Sequence, residues 1–183
     1  WLGSEAAGGG DVDGDGTDDL FIVGSDYYAS TTGGAYAALL HYGGSFSGTY
    51  DAGDADVRFT GSQGSWQVVR AHSSSDLDGD GLADVAFSDP QNYTASTTTY
   101  VYSNGRVAAF LGGGLASGDE PAFEDADIFV TGAENQDLLG SALGGGDLDG
   151  DGYAELIIGA PGDDAAAYNA GALWIIAGGT GLS

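Results

Sequence analysis

Asp11-Val12-Asp13-Gly14-Asp15-Gly16-Thr17-Asp18-Asp19 is one of three closely matched nine-residue loops in this chain. The others are Asp76-Leu77-Asp78-Gly79-Asp80-Gly81-Leu82-Ala83-Asp84 and Asp147-Leu148-Asp149-Gly150-Asp151-Gly152-Tyr153-Ala154-Glu155. Each places carboxylates at positions 1, 3, 5 and 9 and glycine at position 6. Calcium takes about 6–8 oxygen ligands, and alternate residues of a tightly curled loop aim their oxygens inward together. The glycine at position 6 (Gly16, Gly81, Gly152) permits the turn, because it tolerates positive φ at low cost. By analogy with other calcium loops, position 7 offers a backbone carbonyl, from Thr17, Leu82 and Tyr153, whose side chains share no chemistry. The sequence thus predicts three Ca²⁺ sites. Their ligands are Asp11, Asp13, Asp15, Thr17 and Asp19; Asp76, Asp78, Asp80, Leu82 and Asp84; and Asp147, Asp149, Asp151, Tyr153 and Glu155.

Two other readings are weaker. An EF-hand needs a bidentate Glu at position 12, where this chain has Ile22, Phe87 and Ile158. The runs that follow, such as Leu20-Phe21-Ile22-Val23 and Leu156-Ile157-Ile158, are short and bounded by Gly, Ser or Pro, as buried strands are. Asp-Gly clusters also form simple turns. Three copies with one carboxylate spacing do not follow from turn chemistry alone, and carboxylates packed this densely repel one another without a counter-ion.

The loops begin at 11, 76 and 147, so the chain repeats at 65 and then 71 residues. Other segments keep step: Asp54-Ala55-Asp56-Val57-Arg58-Phe59-Thr60-Gly61 matches Asp125-Ala126-Asp127-Ile128-Phe129-Val130-Thr131-Gly132. Each full repeat holds four strand candidates. One leads into the loop (about 2–9, 66–73, 138–145) and one leaves it (19–24, 84–88, 155–160). A third follows a Gly-rich turn (34–42, 105–112, 170–177), and the fourth is the Asp-Ala-Asp segment (56–60, 127–131). Four strands per repeat joined by short turns predict an all-β chain of propeller-type blades. The expected divisions are residues 1–61, 62–132 and 133–183. The third repeat has no counterpart of Asp54–Gly61, which gives eleven strands and an incomplete last blade.

These residues resemble FG-GAP repeats, the blades of the integrin α-subunit propeller and of many secreted bacterial proteins. The resemblance is fullest in the third repeat, where Leu139-Gly140 stands near the Phe-Gly, Gly159-Ala160-Pro161 is the Gly-Ala-Pro, and the loop lies between them. The second repeat has Ser88-Asp89-Pro90 and the first Gly24-Ser25-Asp26 at the latter place. The resemblance implies that each calcium loop joins the first two strands of a blade and stabilises it. Glu155 departs from the Asp at position 9 of the other loops. The family is typically seven-bladed, so three repeats imply either a piece of a longer propeller or completion by another chain, including further copies of this one, through the open edge of the third blade.

The chain has 28 acidic residues and a formal charge of −25; its three basic residues are Arg58, Arg70 and Arg106. Three bound Ca²⁺ would leave about −19. Such a surface repels nucleic acid and anionic lipid. With 42% hydrophobic and 11% aromatic residues, the chain is not compositionally disordered. No apolar run reaches the roughly 20 residues of a membrane span, and the absence of Cys rules out disulfides. Calcium loops point outside the cell, where the ion is abundant. His41 and His72 lie in different repeats and do not suggest a His-based site. No nucleophile elbow surrounds any Ser, and the spare acids Asp163 and Asp164 read as a solvated turn. Tyr27, Tyr28 and Tyr93 fall in stretches read as irregular and are candidates to touch carbohydrate or another subunit. The functional expectation is a non-enzymatic, extracellular calcium-stabilised structural or adhesion module. The alternative is an accessory or carbohydrate-binding domain of a secreted hydrolase or lyase.

Overall fold

A computed structural model describes residues 2–24, 36–60, 70–91, 93–95, 100–168 and 170–182. These residues form antiparallel sheets in chain order. The first sheet is a meander of β1 (Leu2–Gly10), β2 (Asp19–Gly24), β3 (Tyr36–His41) and β4 (Val57–Thr60). The second contains β5 (Ala71–Ser75) and β6 (Asp84–Asp89), then a hairpin of β7 (Tyr93–Ala95) and β8 (Tyr100–Tyr102) that stands apart as its own small sheet. It resumes with β9 (Arg106–Phe110) beside β6 and ends with β10 (Ile128–Thr131). The third sheet has three strands, β11 (Ala142–Gly146), β12 (Glu155–Ala160) and β13 (Ala172–Ile176). The sheets of four, four and three strands are those of propeller-type blades with the third incomplete, and they do not close into a barrel.

The strand sets match the expected order, with local differences. The third sheet begins at Ala142, not near 138, because Leu138 to Ser141 form a turn in which the Ser141 N–H donates to the Leu138 carbonyl (3.1 Å). Leu138 there has φ of 55°. The β7–β8 hairpin is an addition, and Tyr93, read as irregular, is strand-paired with Tyr102. The Tyr- and Thr-rich composition of this segment favours a pleated pair. The expected 66–73 strand is described only from residue 70 onward; Trp66 to Val69, Tyr27 and Tyr28 lie outside the described residues.

Burial shows how the sheets lie. Every residue of β6 and β9 is buried, so the second sheet is covered on both faces. By contrast, β4 alternates buried and half-buried, and β13 alternates half-buried and exposed. The second sheet therefore sits between the other two. Between the first and second sheets lies a phenylalanine cluster: Phe59 contacts Phe21 edge-on at 5.6 Å, Phe87 at 5.4 Å and Phe110 at 4.9 Å between ring centroids. Phe123 closes it against Phe87 at 5.0 Å. Burying a Phe of this kind stabilises by about 1.5–3 kcal/mol. The junction of second and third sheets is built of smaller groups, with Ala86, Val107, Ala109 and Leu111 meeting Leu139, Leu156, Ile158 and Ala160.

Candidate metal centres

The three repeated loops occupy equivalent places, joining β1 to β2, β5 to β6 and β11 to β12. Their internal hydrogen bonds repeat atom for atom. The position 1 carboxylate accepts from the N–H of the position 4 glycine: Gly14 to Asp11, Gly79 to Asp76 and Gly150 to Asp147, each 2.7 Å. Its second oxygen accepts from the position 6 glycine: Gly16 at 2.9 Å, Gly81 at 3.0 Å and Gly152 at 3.1 Å. Asp13, Asp78 and Asp149 each accept the N–H two residues on. Asp15, Asp80 and Asp151 do the same with Thr17, Leu82 and Tyr153.

This curl requires left-handed backbone at two positions in each loop. Position 6 was expected; position 4 was not, yet Gly14, Gly79 and Gly150 have φ of 82°, 80° and 83°. The signal was present in the sequence as a glycine at position 4 of every copy.

Position 9 has a second task. Asp19, Asp84 and Glu155 are 3%, 2% and 6% exposed. Each accepts the N–H of position 2, from Val12 (2.7 Å), Leu77 (2.6 Å) and Leu148 (2.7 Å). Asp19 also accepts from Gly43 at 2.6 Å, and Asp84 from Gly112 at 2.8 Å. These bonds tie the loop to the glycine pair after the third strand, a role the sequence reading did not assign. Burial pushes the Asp84 carboxyl up to about 6 against the pull of those two N–H donors, and nearby Asp78 and Asp76 add to the rise. Burial likewise raises Asp19. In the exposed part of the first loop, the Thr17 hydroxyl and N–H lower Asp15. Burial, then the charges of Asp13 and its neighbours, pushes the Tyr42 phenol up to about 12.

The carboxylates converge. Oxygens of Asp11, Asp13 and Asp15 lie within 4.8 Å of one another, as do those of Asp76, Asp78 and Asp84, and of Asp147, Asp149 and Glu155. Positions 1 and 3 join every trio; the third member is position 5 in the first loop and position 9 in the others. Oxygen-only donor sets of this kind suit a hard divalent cation. The bent glycine backbone and the inward carboxylates are the features such an ion needs, so the residues fit.

The Asp-Ala-Asp segments have another use. Asp56 accepts the Tyr42 N–H (3.0 Å) and Asp127 the Leu111 N–H (2.9 Å), fastening the fourth strand to the end of the third. His41 is 3% exposed with its ring against Tyr50 at 5.6 Å, and His72 meets the Ser75 hydroxyl at 2.7 Å. Neither histidine belongs to the carboxylate trios. Asp163 caps a local turn by accepting the Ala165 N–H at 2.8 Å.

A search of curated proteins gave no match to the chain. Residues 139–176 match the family model of the FG-GAP repeat. That span runs from Leu139 through the third carboxylate loop to the end of β13, so the match takes in the third sheet and the loop that feeds it.

Proposed function

We propose that this chain is a calcium-binding, non-enzymatic structural or adhesion module that works outside the cell. The observation that carries the reading is the recurrence of a carboxylate trio built on loop positions 1 and 3, within a shared hydrogen-bond network, at the head of each of three sheets. In this reading the carboxylates of Asp11, Asp13 and Asp15, of Asp76, Asp78 and Asp84, and of Asp147, Asp149 and Glu155 hold Ca²⁺. Asp19, Asp80 and Asp151 complete the sets with the carbonyls of Thr17, Leu82 and Tyr153. A bound divalent ion supplies the positive charge that offsets clustered carboxylates, so binding and folding are linked.

Support for an extracellular setting comes from the FG-GAP match and from the abundance of calcium there. Among the described residues, no helix is long and apolar enough to cross a membrane. The His72–Ser75 pair serves packing in this reading, since Ser75 is 5% exposed and faces the backbone of Gly145. The interaction partner is another protein chain. The edge of β13 opposite β12 pairs with no strand among the described residues, and such an edge adds strands from other chains, including further copies.

Melting the protein in calcium and in EDTA tests the central claim. Chelation is expected to lower the melting temperature, since an ion at about 100 times its dissociation constant contributes about 2.7 kcal/mol per site. Equal melting curves would refute it. Native mass with and without calcium tests the edge: a ladder of oligomers supports strand addition between copies, and a monomer at all concentrations argues against it.

A further inference from the structure

The segment that joins β9 to β10 is fastened to the first sheet along β4. The Arg58 N–H donates to the Asp119 carbonyl at 3.0 Å, the Thr60 N–H to the Pro121 carbonyl at 2.9 Å, and the Gly118 N–H to the Asp56 carbonyl at 2.6 Å. The Tyr42 hydroxyl donates to the Leu115 carbonyl at 2.8 Å. The segment so held walls an open pocket of about 380 Å³. Its apolar lining is Phe110, Leu111, Leu115 and Pro121, and its rim carries Asp119, Glu120, Asp125 and Asp127.

The first repeat builds the same frame and fills it. There Asp54 accepts the Asp51 N–H at 2.8 Å and Asp56 the Tyr42 N–H at 3.0 Å. In the second repeat Asp125 accepts the Ala122 N–H and Asp127 the Leu111 N–H, both at 2.9 Å. Tyr50 sets its ring against His41 at 5.6 Å, and Phe46 packs on Tyr50 at 5.8 Å. The Ser47 N–H donates to the Tyr50 hydroxyl at 3.1 Å and closes the group. By strand register Phe110 stands where His41 does, each opposite the residue that follows loop position 9. Pro121 replaces Tyr50, and Ser117 replaces Phe46. The Ser117 hydroxyl is drawn away to Asp56 at 2.9 Å. Two rings are thus missing from the second repeat, and the place they fill in the first is a pocket.

The rim is charged in one sense. Asp119, Asp125 and Asp127 each use one oxygen to accept a backbone N–H at 2.9 Å, which orients the carboxylate. The second oxygen of each accepts no hydrogen bond among the described residues. Glu120 has Arg58 at 3.8 Å, but that guanidinium is also bound to the carbonyls of Ala52 and Gly53. Four carboxylates therefore face one cation. They are not pinched together as the loop carboxylates are: none of the four belongs to a trio with oxygens within 4.8 Å of one another. Such a spread suits an organic cation with several donors better than a metal ion. Arginine has five N–H donors in a planar, permanently charged fork that is weakly hydrated. Its methylene stem covers apolar surface while the head stays among polar groups. The pocket offers both halves, an apolar lining for the stem and rim oxygens for the fork.

We propose that this pocket binds an arginine side chain presented by a partner protein. Opposite charge across such a contact steers encounter and fixes register. The inference deepens the reading of the chain as a module that binds other protein chains. It concerns a surface other than the β13 edge, and its test measures neither oligomers nor melting, so the two can fail separately.

The test titrates the isotope-labelled full chain with the peptide acetyl-Gly-Ala-Arg-Ala-Gly-amide, in saturating calcium and about 0.15 M salt. The amide signals of Leu111, Leu115, Asp119 and Asp125 should shift together, and shifts spread evenly over the acidic surface would overturn the proposal. A peptide with neutral citrulline in place of arginine should bind about tenfold more weakly. Asp119→Asn with Asp125→Asn keeps the side-chain oxygens that accept the turn N–H groups and should weaken binding about tenfold. The same change of charge in Asp163→Asn with Asp164→Asn should alter it by about twofold at most; equal losses would show general attraction and overturn the site. Pro121→Tyr restores a ring of the first repeat without changing charge and should also weaken binding. Full affinity in that variant, with the parent's circular dichroism, would overturn the site. Tighter binding of free arginine than of the capped peptide would mark a small-molecule site and overturn the partner protein.

Discussion

Arg106 and Asp89 face each other across β9 and β6, guanidinium to carboxylate at 3.1 Å, both almost fully buried. Arg106 also reaches Glu124 at 3.3 Å and lies 4.4 Å from the centre of the Phe123 ring. The Gly-Ala-Pro of the third repeat has its counterpart here in Ser88-Asp89-Pro90, so the equivalent place in the second repeat houses an ion pair. Breaking a buried ion pair by removing one partner costs about 3–5 kcal/mol. Asp89→Ala should show a loss of this size in urea unfolding, while Asp89→Val with Arg106→Leu should recover most of it.

Glycine substitutions should separate the two demands on the loops. Gly81 has φ of 90° with open space around it, so Gly81→Ala meets only the left-handed backbone penalty, about 1–2 kcal/mol. Gly79→Ala meets the same penalty and the Tyr153 ring, and its denaturation midpoint should fall further. Equal losses would show that Tyr153 gives way freely.

The three sites should be separable. Asp78→Ala removes a carboxylate from one trio only. Isothermal titration should then count one calcium fewer, with the remaining affinities within a few-fold of the parent's. Loss of all binding would mean that the loops fold as one unit.

Burial holds the His72 imidazole below its usual range. In the unfolded chain the ring takes a proton as pH falls through about 6.5, and in the fold it resists, so stability falls as pH drops below that value. His72→Gln should flatten the stability curve below about pH 6.5. A profile unchanged by the substitution would exclude His72 as its source.

Much of the fold was legible because carboxylate spacing and strand periodicity are local. Asp11, Asp13 and Asp15 announce a carboxylate cluster through spacing alone, and Phe21 and Val23 alternate as strand residues must. The strand order within each sheet followed from short turns. Less legible were the β7–β8 hairpin, which repetition did not forecast, and the turn at Leu138 to Ser141, which delays β11. Position 9 was read only as a ligand, although Asp19 and Asp84 also clasp Gly43 and Gly112. A partner 24 or 28 residues away leaves no mark on the spacing inside a loop.

By itself the sequence determined the loops, their register of 65 and 71 residues and the three strand candidates around the third loop, because carboxylate spacing and strand alternation are read within a few residues. Only the tertiary structure decided that the first two loops each present their first two carbonyls to the repeat that follows, and that Leu148 is exposed where Val12 and Leu77 are buried. All three are apolar residues at one loop position. What distinguishes them is whether another sheet stands against them, and that depends on packing between segments far apart in the chain.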